Sequence, residues 1–221
     1  MPAGSPGTGP PCLGPEQYRA LKQLLAKARR YGYLGPGPLD GQILRSLAFA
    51  AFANTCERAM DLGSGGGLPG LVLASAWPAT TWYLVDSNRR RSEWLRSAVR
   101  SLGLERRCVV VCERAEVIGK SELRGAFDLV TARGFGPPSP TAECAAPMLR
   151  AGGELVASDP PQLGASRWPP EALATLGLVR TSTVTVATPA GPVTLSRMLA
   201  TTACPSDYPR RVGIPFKRPL F

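Results

Sequence analysis

Between residues 61 and 70 the chain reads DLGSGGGLPG, with a strand-like apolar run at 59–62 before it and a helix-like run at 68–76 after it. Glycines packed this densely let a ligand approach the backbone, and the first strand-to-helix turn of a doubly wound sheet is the natural place for them. The sequence on either side agrees. Strand-like runs at 81–85, 108–112, 127–132 and 154–157 alternate with helical patterns at 88–102 and 141–150. That alternation predicts an α/β fold of the doubly wound, Rossmann-like kind, a parallel sheet with helices on both faces. Upstream, Tyr18, Leu21, Leu24, Leu25 and Ala28 recur at helical spacing, and a second helix is expected at 40–54 after the break GPGP. Together these form an N-terminal helical cap. Downstream, a helix at 171–176 precedes Thr/Val-rich runs at 178–187 and 193–200, joined through TPAG, which predict a closing antiparallel hairpin. The expected organisation is a disordered N-terminus (1–15), the cap (16–55), a ligand-binding core (56–200) and a basic C-terminal tail (201–221).

The loop contains a GxGxxG match at Gly65, Gly67 and Gly70, which alone would also suit a nicotinamide dinucleotide. Two features argue against that ligand. The first glycine after the strand is Gly63, and Pro69 interrupts the dinucleotide pattern. Asp61, moreover, precedes the glycines, where a carboxylate would repel a pyrophosphate but face the cationic end of S-adenosylmethionine. Asp86 ends the second strand 25 residues later, with Ser87 behind it, the position from which a carboxylate accepts hydrogen bonds from ribose hydroxyls. The expected cofactor is S-adenosylmethionine.

Charge and cysteine usage narrow the partners. Lys and Arg number 26, nearly all arginine, against 16 Asp and Glu, for a net charge of +10. The cations cluster: Lys22, Lys27, Arg29 and Arg30; Arg89, Arg90 and Arg91; and Arg210, Arg211, Lys217 and Arg218. Such patches suit the phosphates of a nucleic acid. The six cysteines are scattered without a CxxC pair, and the two in CVVVC would sit about 13 Å apart on one strand face, too far to bridge. Reduced thiols are expected. With no histidine and no thiol cluster, metal ligation is not expected either. The longest apolar run, about 43–53, is interrupted by Arg45 and is far short of the ~20 residues that span a bilayer. The N-terminus has neither the basic region nor the apolar core of a secretory signal. A cytoplasmic, monomeric protein is expected, without membrane or DNA partners.

The segments DLGSGGGLPGLVLA, YLVDSNRRRSEWLR, ERAE, FDLVTARGF and LRAGGELVAS, spanning residues 59–157, resemble the ribosomal small-subunit methyltransferases of the glucose-inhibited-division B family. The ending YPRRVGIPFKRPLF, from Tyr208, is independently similar to that of many bacterial members. The resemblance implies 16S ribosomal RNA, or the small subunit, as substrate and 7-methylguanine as product. It implies that Gly63 and Leu68 hold the methionine end of the cofactor and that Ala115 and Glu116 flank its adenine. Arg133 would belong to the site and serve catalysis. Methylation at guanine N7 needs no proton removal, which a histidine-free chain can satisfy. The chain departs from the family in QILRSL (42–47), where His-x-x-Asp-Ser is usual, in GFGPP (134–138) for Ala-Phe-Ala-Pro, and in Ser158-Asp159 for Lys-Gly. All three departures fall toward the substrate side, so two alternatives stay open at this stage. One is a paralogue methylating another RNA or a small molecule, the other a non-catalytic protein that binds cofactor or ribosome.

Overall fold

The computed structural model describes residues 13–50, 52–53, 56–160 and 167–221. Two helices come first, α1 (Pro15–Arg30) and α2 (Leu39–Ala50). There follow β1 (Arg58–Leu62), α3 (Gly70–Ala76), β2 (Thr81–Val85), α4 (Arg89–Ser101), β3 (Cys108–Val111), the single turn α5 (Ala115–Ile118), β4 (Phe127–Ala132) and α6 (Pro138–Ala145). A 3-10 turn at Ala146–Met148 leads into β5 (Leu149–Asp159), then α7 (Pro170–Ala174), β6 (Leu178–Val186), β7 (Val193–Ala200) and the short α8 (Ile214–Lys217). The seven strands form one sheet in the order β3-β2-β1-β4-β5-β7-β6. β1 to β5 pair in parallel and β7 runs antiparallel to both its neighbours. The doubly wound sheet and the closing hairpin are thus as the sequence pattern predicts.

Alternation along the strands sorts the core into two layers, because successive strand side chains face opposite sides of the sheet. Ala59, Trp82, Leu84, Leu129 and Val156 pack with Leu21, Leu25, Ile43 and Phe49 of the cap and with Leu71, Leu73 and Leu95 of α3 and α4. Met60, Leu62, Val130, Leu155 and Ala157 pack on the other face with Ala142, Met148, Trp168 and Leu173. The cap is therefore part of the first layer, and its helices share a core with the sheet.

Several boundaries differ from those expected. The helix anticipated at 141–150 begins at Pro138 and ends at Ala145. Prolines lack only an N–H that the first helical turn does not use, so Pro138 and Pro140 are tolerated at its start, whereas Pro147 cannot continue an α-helix. β5 starts five residues earlier than expected, with a bulge opposite Phe127–Leu129 that takes up Gly152 and Gly153. The N-terminal disorder expected over 1–15 falls largely outside the described residues, as do Cys12 and positions 51 and 54 of the expected second helix. Leu13 and Gly14 lead directly into α1, whose first residue is Pro15, so position 15 is helical where disorder is expected. Residues 201–221, expected as a basic tail, lie folded across the α5–α6 side of the sheet.

Four half-buried attachments hold that segment in place. The Arg124 guanidinium donates to the carbonyls of Cys204 and Tyr208, each at 2.7 Å. The backbone N–H of Arg210 and its Nε both donate to Glu143 Oε1 at 2.9 Å, and its Nη2 donates to Oε2 at 2.7 Å. The Gly213 N–H donates to Glu116 Oε1 at 2.8 Å, and the Leu220 N–H to Ser139 Oγ at 2.7 Å. Expected from its basic neighbourhood to contact RNA phosphates, Arg210 is instead spent on Glu143, whose side chain is 0% exposed. A buried carboxylate needs a paired cation, and Arg210 is it.

Candidate active site

In the strand order β3-β2-β1-β4, connections leave β1 and β4 in opposite directions, and the crevice that opens between their C-terminal ends is where ligands settle in open α/β sheets. The glycine loop leaves β1 here. Gly63, Gly65 and Gly67 have φ of 72°, 50° and 95°, values that a side chain would strain. Gly66 is required for a different reason: a Cβ there would lie 2.3 Å from Leu34 Cδ2 and 2.8 Å from the Tyr33 carbonyl oxygen. The loop between the cap helices therefore rests directly on the glycine turn.

Asp61 lies beneath this loop, 1% exposed. Its Oδ2 accepts the N–H of Gly70, the first residue of α3, at 3.0 Å, and its Oδ1 accepts the Thr131 hydroxyl at 2.9 Å. The sequence places this carboxylate against the cofactor; the structure places it out of the cavity wall, tying the loop to α3 and β4. Burial raises its pKa to about 6 against the opposing hydrogen bonds from Thr131, Ser64 and Gly70. The arrangement has a chemical consequence. A helix N-terminus is the usual seat of a dinucleotide pyrophosphate, and here the protein's own carboxylate fills it.

Asp86, at the end of β2, is 6% exposed and faces the crevice. Its Oδ2 accepts the Gly65 N–H at 2.9 Å and its Oδ1 the Asn88 N–H at 2.8 Å. A carboxylate has about four lone-pair sites, so two remain for a ligand. Around it opens a cavity of about 300 Å³, bordered by Gly63, Asp86, Ser87, Ala115 and Glu116. Of the expected site residues, these five share one cavity. Glu116 also holds the folded C-terminus: Oε1 accepts from Arg114 Nη2 at 2.9 Å as well as from Gly213. Burial would raise its pKa, but these two donors outweigh it and keep the carboxyl below its ordinary range.

A second space of about 300 Å³ adjoins the first across Gly63 and Gly134, bordered by Gly65, Leu68 and Arg133. Arg133 follows β4 and reaches back to the cap, donating through Nη1 to Ser46 Oγ at 3.3 Å and through Nη2 to Gln42 Oε1. Burial lowers its pKa, and the nearby Arg45 adds to this while Asp61 opposes it. Gly67 borders neither space. Its backbone turns the chain toward α3, and a Cβ there would meet Leu71 at 2.3 Å.

Three contributions escape sequence reasoning. Arg91, the third residue of α4, borders both spaces and sits 3.8 Å from Asp86 Oδ2. Gln42 and Ser46 brace Arg133 from 87 to 91 residues away. Phe216, on α8, borders the first cavity beside Phe135. Their advance signals are the arginine triplet at 89–91, the 42–47 segment and the ending that contains Phe216. Among the described residues no group of histidine, cysteine or carboxylate side chains could hold a metal ion, and no helix is long and apolar enough to cross a membrane. The five described cysteines are free thiols.

Comparison with known proteins places this architecture. The family model GidB, described as rRNA small subunit methyltransferase G, matches residues 39–159, over half of the chain. A "Ribosomal RNA small subunit methyltransferase G" of Prochlorococcus marinus (strain MIT 9303) is 36% identical over 74% of this chain and 68% of its own. The protein of the same name from Thermotoga neapolitana is 36% identical over 80% of this chain and 82% of its own. Among solved structures, an O-methyltransferase from Bacillus cereus in complex with SAH superposes with a TM-score of 0.60 at 15% identity, covering 82% of this chain and 90% of that one. At that identity the likeness is one of fold.

Proposed function

The chain belongs to the rRNA small subunit methyltransferase G family, and from that premise we propose that it transfers a methyl group from S-adenosylmethionine to N7 of a guanine in 16S ribosomal RNA, on the small subunit, in the cytoplasm. The observation that supports this most is the convergence of Gly63, Asp86, Ala115 and Glu116 on one cavity that continues into a second beside Arg133. When bound, S-adenosylmethionine supplies an electrophilic methyl group on a sulfonium centre.

The residues fit such a cofactor. Asp86 turns its free lone pairs into the cavity for the ribose hydroxyls, the Gly63–Gly65 turn admits the methionine end against backbone, and Ala115 leaves a small apolar wall for the base. Asp61, seated on the Gly70 N–H, closes the α3 N-terminus to a pyrophosphate. Guanine N7 carries its lone pair in the neutral base, so no residue needs to remove a proton. Catalysis then rests on alignment of two bound reactants, an effect that can supply several kcal/mol. Arg133 is poorly suited to stabilise a purine that is gaining positive charge. Its guanidinium, fixed by Gln42 and Ser46, instead suits the guanine O6 or an adjacent phosphate.

Methyl transfer from labelled S-adenosylmethionine to unmethylated small subunits tests this reading. The wild type transfers one methyl per subunit; Arg133→Ala loses transfer while its circular dichroism is unchanged. Arg133→Lys restores little, because an ammonium lacks the fork that spans Gln42 and Ser46. Full activity in the alanine variant would remove Arg133 from the site.

A further inference from the structure

Phe216 is an aromatic side chain left 43% exposed at the rim of the first cavity. It lies against Phe135 from the β4–α6 loop, with ring centroids 5.6 Å apart and planes at 61°. The backbone makes room for this pair. A Cβ at Gly136 would lie 2.7 Å from Phe216 Cε1, and one at Gly63 would lie 2.8 Å from Phe135 Cδ2. Nor is Phe216 free to wander, since the Gly213–Glu116 and Leu220–Ser139 hydrogen bonds bracket it on both sides.

The same cavity is bordered by Asp86, an acceptor suited to sugar hydroxyls, and by the Ala115–Glu116 turn. An acceptor, aromatic carbon and a small apolar wall lining one cavity make up the recognition chemistry of a purine nucleoside, whose flat base gains from stacking on an aromatic face. We propose that the C-terminal segment is a working part of the cofactor site: Phe216, paired with Phe135, forms the wall against which the adenine of S-adenosylmethionine lies. This rests on reading the cavity as the cofactor site. Glu116 makes the arrangement reciprocal, because the residue that borders the adenine space also holds Gly213. Whatever orders that turn orders the C-terminal segment, and docking of the segment completes the pocket.

Calorimetric titration of the full-length protein with S-adenosylhomocysteine and, separately, with adenosine tests the assignment. Phe216→Ala should bind both about tenfold or more weakly, and by a similar factor, since the contact is with the base that they share. Phe216→Tyr should stay within about threefold of wild type. Phe216→Leu, which keeps apolar bulk without the flat face, should also lose affinity and guards against a folding defect in the alanine variant. S-adenosylhomocysteine should slow tryptic cleavage after Arg211 and Lys217 in the wild type and not in Phe216→Ala. Unchanged affinity in both the alanine and leucine variants, or cleavage that is indifferent to ligand in the wild type, would overturn the proposal. A wild type that bound no S-adenosylhomocysteine would instead overturn the cofactor reading on which it stands.

Discussion

Asp61 carries a cost that pH can expose. Its carboxyl is lifted by burial from 3.8 to about 6, so the folded protein holds a proton that the unfolded chain has already released. Stability from this group is therefore complete below about pH 4 and is lost as pH rises through 6, on the order of 2–3 kcal/mol in all. In Asp61→Asn the amide can still accept from Gly70 and donate to the Thr131 oxygen, without a charge to bury. Urea unfolding at pH 4 and pH 7 should show the variant gaining on wild type by about that amount as pH rises; parallel profiles would mean that Asp61 ionises freely. That Asp61 lies near the cofactor loop was legible, because the motif and its strand are contiguous. Its partners were not, since Thr131 is 70 residues away and is brought close only by β1–β4 pairing. The same holds for Arg133, whose place after β4 the pattern predicts and whose anchors on α2 it does not.

At the scale of elements, the C-terminal segment is the least expected part of the molecule. Strands and long helices announce themselves by periods of 2 and 3.6, but α5 and α8 are four residues each and carry no period to read. The attachments of residues 204–221 span 67 to 97 residues of sequence, and two of the four depend on carboxylates that look like ordinary surface acids. The departure from Ala-Phe-Ala-Pro to GFGPP gains an account here: the second alanine's methyl would collide with Phe216. Arg210→Ala should destabilise the protein by about 3 kcal/mol, because it strands the buried Glu143 charge. Arg211→Ala, on an exposed side chain, should change stability by less than about 0.5 kcal/mol. Adding Glu143→Ala to Arg210→Ala should cost less than the sum of the two single changes, as the double variant leaves neither charge unpaired. Strict additivity in chemical denaturation would mean that the pair does not anchor the segment.

For the molecule as a whole, the total of 26 Lys and Arg overstates the cations free to meet RNA. Lys22 pairs with Asp40, Arg29 donates to the Gly37 carbonyl and Arg210 is bound to Glu143. Arg90 and Arg91 at the start of α4, and Arg211, Lys217 and Arg218 on the C-terminal segment, remain exposed. RNA binding should weaken steeply with salt, and Arg211→Ala with Lys217→Ala should reduce the log–log slope by about two. A slope unchanged in that double variant would place the RNA elsewhere. Methylation itself is read out by mass-spectrometric nucleoside analysis of 16S ribosomal RNA from a strain lacking this gene. One 7-methylguanosine per 16S molecule should disappear, the wild-type gene should restore it, and Arg133→Ala should not. Ribosomal RNA with its full complement of 7-methylguanosine in the deletion strain would contradict the proposed reaction.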